Sequence, residues 1–176
     1  MANLPVPVPR TFSVSEIEVA AYLNTLRDAL TFLLNLPGAV LTQAAAQSVA
    51  NAAWTALAFD NTLKDNYGGH SNTTNNSRYT AQVAGWYRVQ AGGGVVAAAG
   101  GTGRGVDVYK NGAAYTAGAG VVGNSGVVHS TTTGIPVFLN AGDYIEIYVW
   151  QNSGGALNTN GTGQYASWMA VCWESN

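Results

Sequence analysis

Two histidines, a neighbouring Asp and Glu, one cysteine and a glycine run are the groups in this chain that could do chemistry. His70 and His129 are candidate acid–base groups or metal ligands, because imidazole gains and loses its proton near neutral pH. Neither has a second His at helical spacing or a Cys/His cluster beside it, so both read as surface or hydrogen-bonded structural groups. Asp143 and Glu146 suggest the carboxylate pair of a glycosidase, but in a strand their odd separation puts them on opposite faces. Asp143 suits a turn that bonds its own backbone, and Glu146 an interface or rim. Gly118, Gly120 and Gly123 have the spacing with which a dinucleotide fold brings a pyrophosphate to a helix N-terminus. Asn124-Ser125-Gly126 continues as turn chemistry rather than helix, which makes the run a loop. The single Cys172 excludes an intramolecular disulfide framework and a cysteine-built metal site, and reads as a small core residue. No catalytic, cofactor-binding or metal-binding set results, so the expectation is a protein that binds rather than an enzyme.

The aromatic residues are the remaining candidates. Trp86, Trp150, Trp168 and the tyrosines could stack on the sugars of a bacterial surface, yet core and subunit packing account for most residues of this type. In Gly142–Gln151 a side-chain period of two sends Ile145, Ile147 and Val149 one way. Tyr144, Glu146, Tyr148 and Trp150 go the other way as an aromatic and polar row. In Gln164–Trp173, Tyr165, Met169, Val171 and Trp173 lie opposite Ala166, Trp168, Ala170 and Cys172, so both faces are largely apolar. A strand apolar on both faces is buried on both, which in a small sandwich means a subunit contact. Tyr144, Tyr148, Trp150, Trp168 and Cys172 are therefore the expected interface residues of an oligomer.

The elements that must position these groups divide near residue 53: of the 22 glycines, all but Gly38 lie beyond it. The expected organisation is an N-terminal arm and helix over 1–53 and a sandwich over 54–176. Pro5, Pro7 and Pro9 alternate with apolar residues as an extended arm that cannot join a helix. Ser13 with Glu16, and Ser15 with Glu18, fit the capping box, so a helix begins nearby; Pro37-Gly38 ends it. Leu23, Leu26, Leu30 and Leu33 give it an apolar stripe, widened by Tyr22, Ala29 and Phe32. Beyond residue 53, Trp54–Phe59, Arg78–Ala84, Gly85–Ala91, Val106–Tyr109, Ala113–Ala117, Val127–Thr133, Ile135–Leu139, Tyr144–Gln151 and Gln164–Trp173 read as strands. Asn111-Gly112 marks a hairpin, and Gly92–Gly94 and Gly100–Gly105 read as loops. Short strands at this spacing imply a β-sandwich.

Charged residues make up 9% of the chain, against roughly a quarter in ordinary soluble domains. The net charge of -2 offers nucleic acid no attraction. No stretch reaches the roughly 18 apolar residues of a membrane helix, and Met1–Arg10 has no secretory pattern. The N-x-S/T triplets at Asn72, Asn75 and Asn160 are then expected to be polar loops.

Four segments, in order, resemble the landmarks of the C1q/TNF-like jelly roll. They are Gly85-Trp86-Tyr87, Val108-Tyr109-Lys110-Asn111-Gly112, Leu139-Asn140-Ala141-Gly142-Asp143-Tyr144 and Ser167-Trp168-Met169. Trp54–Asp60, His70-Ser71 and Ser77–Thr80 look like a bacteriophage version of that domain. Pro9-Arg10-Thr11-Phe12, with Ala20–Asn24 and Arg27-Asp28, is similar to the segment that begins many phage virion proteins. The resemblance implies a ten-stranded jelly roll, a three-fold homotrimer with aromatic contacts, and a place on the virus particle. The chain lacks the collagen-like repeat of the animal proteins. The expectation is a mainly β virion protein, assembled in the host bacterial cytoplasm, that serves as a capsid decoration or head fibre. Pro5, Pro7, Pro9, Arg10, Phe12, Leu23, Leu26 and Leu30 would anchor it to the major capsid protein or another virion protein. The alternative is a tail-tip or tail-fibre protein that recognises host cell-surface glycan; a glycan-active enzyme is a weaker third reading.

Overall fold

The computed structural model describes residues 17–115, 129–131, 134–161 and 163–176. The chain forms two compact units, Met1–Leu36 and Pro37–Asn176. In the first, α1 (Ile17–Leu34) is an 18-residue helix. Thr25 and Thr31 donate their hydroxyls to the carbonyls of Ala21 and Arg27 one turn back, which satisfies them within the helix. Leu26, Leu30, Leu33 and Leu34 are exposed, and Leu23 is half-buried. The capping serines and Pro5, Pro7, Pro9, Arg10 and Phe12 lie outside the described residues.

The second unit is a sandwich of two antiparallel sheets. Its strands are β1 (Gly38–Thr42), β2 (Ser48–Val49), β3 (Thr55–Ala56), β4 (Asn61–Asp65), β5 (Arg78–Thr80), β6 (Gly85–Gly94) and β7 (Arg104–Lys110). They continue with β8 (Ala113–Ala114), β9 (His129–Thr131), β10 (Ile135–Leu139), β11 (Tyr144–Gln151), β12 (Leu157–Asn158) and β13 (Trp168–Ser175). One sheet runs β10–β6–β13–β1–β4, with β9 also on β6; the other runs β3–β11–β7–β8, with β5 also on β11. β12 and β2 form a separate ribbon. The core lies between the sheets, as alternation requires. Tyr87, Val89 and Ala91 on β6, Met169 and Val171 on β13, and Leu41 on β1 meet Ile145, Ile147 and Val149 on β11 and Val106 and Val108 on β7. Asn111 and Gly112, at φ 52° and 80°, make the β7–β8 hairpin, because the twist of a two-residue turn needs positive φ at both.

Five expectations change. The sandwich begins at Pro37, not Trp54: β1 is inserted between β13 and β4, and its Ala39 and Leu41 are core residues. The proposed Trp54–Phe59 strand reduces to Thr55–Ala56, and Gly92–Gly94 extends β6 instead of looping. A Cβ at Gly93 would stand inside contact distance of Val149, so glycine there lets the two sheets approach. The last strand starts at Trp168, after a 3-10 turn at Gly163–Tyr165, which separates Tyr165 from the Met169 row. Cys172 is exposed rather than in the core. The glycine run 118–123 lies outside the described residues.

Candidate functional site

The five expected interface residues do not share a surface. Tyr144, Tyr148 and Trp150 point outward from the five-stranded sheet, opposite the buried Ile145, Ile147 and Val149. Trp168 and Cys172 point outward from the six-stranded sheet, opposite Met169 and Val171. The two sets therefore lie on opposite sides of the sandwich.

On the six-stranded sheet, Trp168, Ala170 and Cys172 of β13 are flanked by Gln90, Arg88 and Trp86 of β6 and by Val40 of β1. Beyond β6, Phe138 of β10 faces Trp86, with ring centroids 5.5 Å apart and nearly edge-on. Trp86 and Phe138 are 41% and 38% exposed, and Leu63 on β4 is 65% exposed. Arg88 is paired with Glu174 at 2.5 Å. β13, a central strand, thus turns a half-exposed, mostly apolar row outward.

On the five-stranded sheet the register places Tyr109, Asp107 and Gly105 of β7 opposite Glu146, Tyr148 and Trp150 of β11. The Tyr109 and Tyr148 rings stack at 3.8 Å. Trp54 lies over Gly105, where a Cβ would meet its ring at 3.2 Å, and stands 6.4 Å from Trp150. At the other end Arg78 of β5 lies 4.0 Å over the Tyr144 ring and ion-pairs with Glu146, which also accepts from the Ser77 hydroxyl. Glu146 is buried by these partners. Burial raises the Asp107 carboxyl above its ordinary value, opposed by the hydrogen bond that Val108 N–H gives its Oδ1. Burial likewise raises the Tyr109 and Tyr148 phenols, with the nearby carboxylates adding to it. Trp54, Arg78, Asp107 and Tyr109 join this face unforeseen. Alternation along Val106–Tyr109 was the signal for Asp107 and Tyr109; that for Trp54 and Arg78 is three-dimensional.

A cavity of about 300 Å³ opens beside Arg78, lined also by Ser71, Thr74, Asn75, Thr80 and Gln82. Its wall is held by Asp65, which accepts the N–H groups of Tyr67, Gly69 and His70. The His70 ring spans two carbonyls, with Nδ1 2.7 Å from Arg78 O and Nε2 3.0 Å from Phe59 O, so it is a structural brace. The side chain of His129 lies outside the described residues. Asp143 closes the β10–β11 turn as expected, bonded by Asn140 N and Asn111 Nδ2 and paired with Lys110 at 3.1 Å. It and Glu146 form no catalytic pair, and among the described residues no three His, Cys, Asp or Glu side chains converge on a metal site.

No protein-family model matches the sequence, and no curated protein matches it. Solved structures do match. The globular domain of zebrafish complement 1qA superposes with a TM-score of 0.56 at 14% identity, covering 80% of this chain and 99% of that one. Murine APRIL at pH 8.0 gives 0.56 at 13% identity, over 77% and 98%. The sandwich is therefore a C1q/TNF-like jelly roll, as the four sequence landmarks implied. At this identity the likeness is one of fold.

Proposed function

We propose that the protein is a structural component of a bacteriophage virion, a homotrimeric capsid decoration or head fibre that works by binding. The observation that carries self-association is the outward row of β13. An apolar row at the centre of a sheet, continuous with the exposed Trp86–Phe138 pair, is a surface that a single sandwich leaves in water. Trp168 and Cys172 stay in the interface on this reading; Tyr144, Tyr148 and Trp150 leave it. The virion role rests on the resemblance of Pro9–Phe12 and Ala20–Asp28 to leading segments of phage particle proteins. The exposed Leu26 and Leu30 of α1 are consistent with it. Three arms held together would gain avidity for a multivalent shell without strong individual affinity.

Light scattering on the purified chain should give three times 18.2 kDa, and Trp86→Asp should lower that mass while Tyr148→Ala does not. A monomeric parent protein would refute the trimer. Removing residues 1–36 should leave a folded assembly that is absent from purified particles. Incorporation at parental levels would refute anchoring. Antibody labelling of intact particles separates the head position from the tail-fibre alternative.

A further inference from the structure

We propose that the outward face of the five-stranded sheet is a glycan-binding surface, independent of where on a particle the assembly sits. The cavity beside Arg78 takes one uncharged sugar residue, and the aromatic row takes the residues that follow. Two separate features meet here. The cavity lies at the small end of ligand pockets, about 300–1,000 Å³, and has room for one sugar ring. It adjoins the row directly, because β5 pairs Thr80 with Tyr144 and Arg78 with Glu146. From Tyr144 to Trp150 the row then runs about 20 Å along β11.

The chemistry selects the ligand. Hydroxyls and amides of Ser71, Thr74, Asn75, Thr80 and Gln82 supply both donors and acceptors to the cavity. Its cation, Arg78, is offset by Glu146, so no net charge favours a phosphate or an acidic chain. Along the row, Tyr109, Tyr148, Trp150 and the 42% exposed Trp54 offer aromatic surface for the C–H faces of sugar rings. Asp107 sits among them, 8% exposed; its Oδ1 accepts from Val108 N–H, and a carboxylate has capacity left for a ligand hydroxyl. Aromatic surface beside the Asp107 carboxylate fits a polyhydroxylated ring better than an apolar helix, which would bring that carboxylate no further donor.

The test uses the full chain on an array of immobilised neutral and acidic oligosaccharides, followed by calorimetry with the best-retained one. Neutral oligosaccharides several residues long should be retained, and binding should quench tryptophan fluorescence. Trp54→Ala and Gln82→Ala, both at exposed positions, should each raise Kd about tenfold with assembly mass unchanged. Lys64→Ala, exposed on β4 of the opposite sheet, should leave Kd unchanged. The proposal is overturned if no neutral oligosaccharide is retained, or if Trp54→Ala and Gln82→Ala bind like the parent. A fall in assembly mass in those two variants would also overturn it, because the face would then be a subunit contact.

Discussion

Gly93→Ala should destabilise the sandwich by about 2 kcal/mol, and Val149→Ala should remove most of that cost. The Cβ would stand inside 3.0 Å of Val149 Cγ1 and 3.5 Å from Val106 Cγ2, whereas carbon atoms settle at about 3.5–4.0 Å. The valine must leave its rotamer or the sheets must part, a distortion of about 1–3 kcal/mol. Val149→Ala alone deletes two buried methyl groups and should cost about 1–3 kcal/mol. In the double variant the new methyl enters the space the valine left, so the cycle should show about 2 kcal/mol of favourable coupling. Urea unfolding followed by tryptophan fluorescence measures this, at one protein concentration because association adds a mass-action contribution. Additivity within about 0.5 kcal/mol would refute the close approach of β6 and β11 at this point.

Asp143, held down at about 2 by Asn111, the Asn140 N–H and Lys110, contributes stability present above the unfolded carboxylate pKa, about 3.9, and lost as pH falls toward 2. Asp143→Asn should narrow that acid loss by about 1 kcal/mol, a value reduced for solvent screening; urea midpoints that fall in parallel would contradict it. Glu146→Ala should cost about 1–3 kcal/mol in the same assay, because it strips Ser77 and Arg78 of their acceptor, and Glu146→Gln should cost less. Burial pushes the Tyr79 phenol far above its ordinary value, so its contribution is complete below pH about 10 and disappears as pH rises toward the folded value. Tyr79→Phe should blunt alkaline unfolding, followed by phenolate absorbance, at a cost of no more than about 1 kcal/mol at neutral pH, the worth of a contact between its hydroxyl and that of Tyr87.

Local alternation made much of the core legible. Tyr87, Val89 and Ala91 on one strand and Ile145, Ile147 and Val149 on another are buried as their period of two requires. β1 escaped because Gly38–Thr42 follows a helix-ending Pro-Gly and is a strand by virtue of partners far along the chain. Gly92–Gly94 carries turn chemistry in isolation, yet the facing sheet needs small residues at Gly93. At the candidate sites, period distinguished inward from outward within each strand. It could not say which sheet the strand joins, so that Tyr148 and Trp168 stand on opposite sides of the sandwich is visible only in the pairing of β11 and β13. Trp54 lies just ahead of β3, where no periodic pattern operates, and Arg78 reaches the aromatic face only through the pairing of β5 with β11.

The pairing of β1 with β13 also constrains how the molecule folds. Gly38↔Cys172 and Thr42↔Trp168 join segments more than a hundred residues apart, and β13 in turn lies between β1 and β6. The first strand made thus waits, unpaired on that edge, until the last strand is available. Loop-closure entropy must be met before this central ladder returns any energy, which places the domain among slow, high-contact-order folders of the millisecond-to-second class. During that interval the edges of β1 and β6 are open templates for a second chain. Refolding yield should therefore fall as protein concentration rises, through misregistered strand exchange between chains.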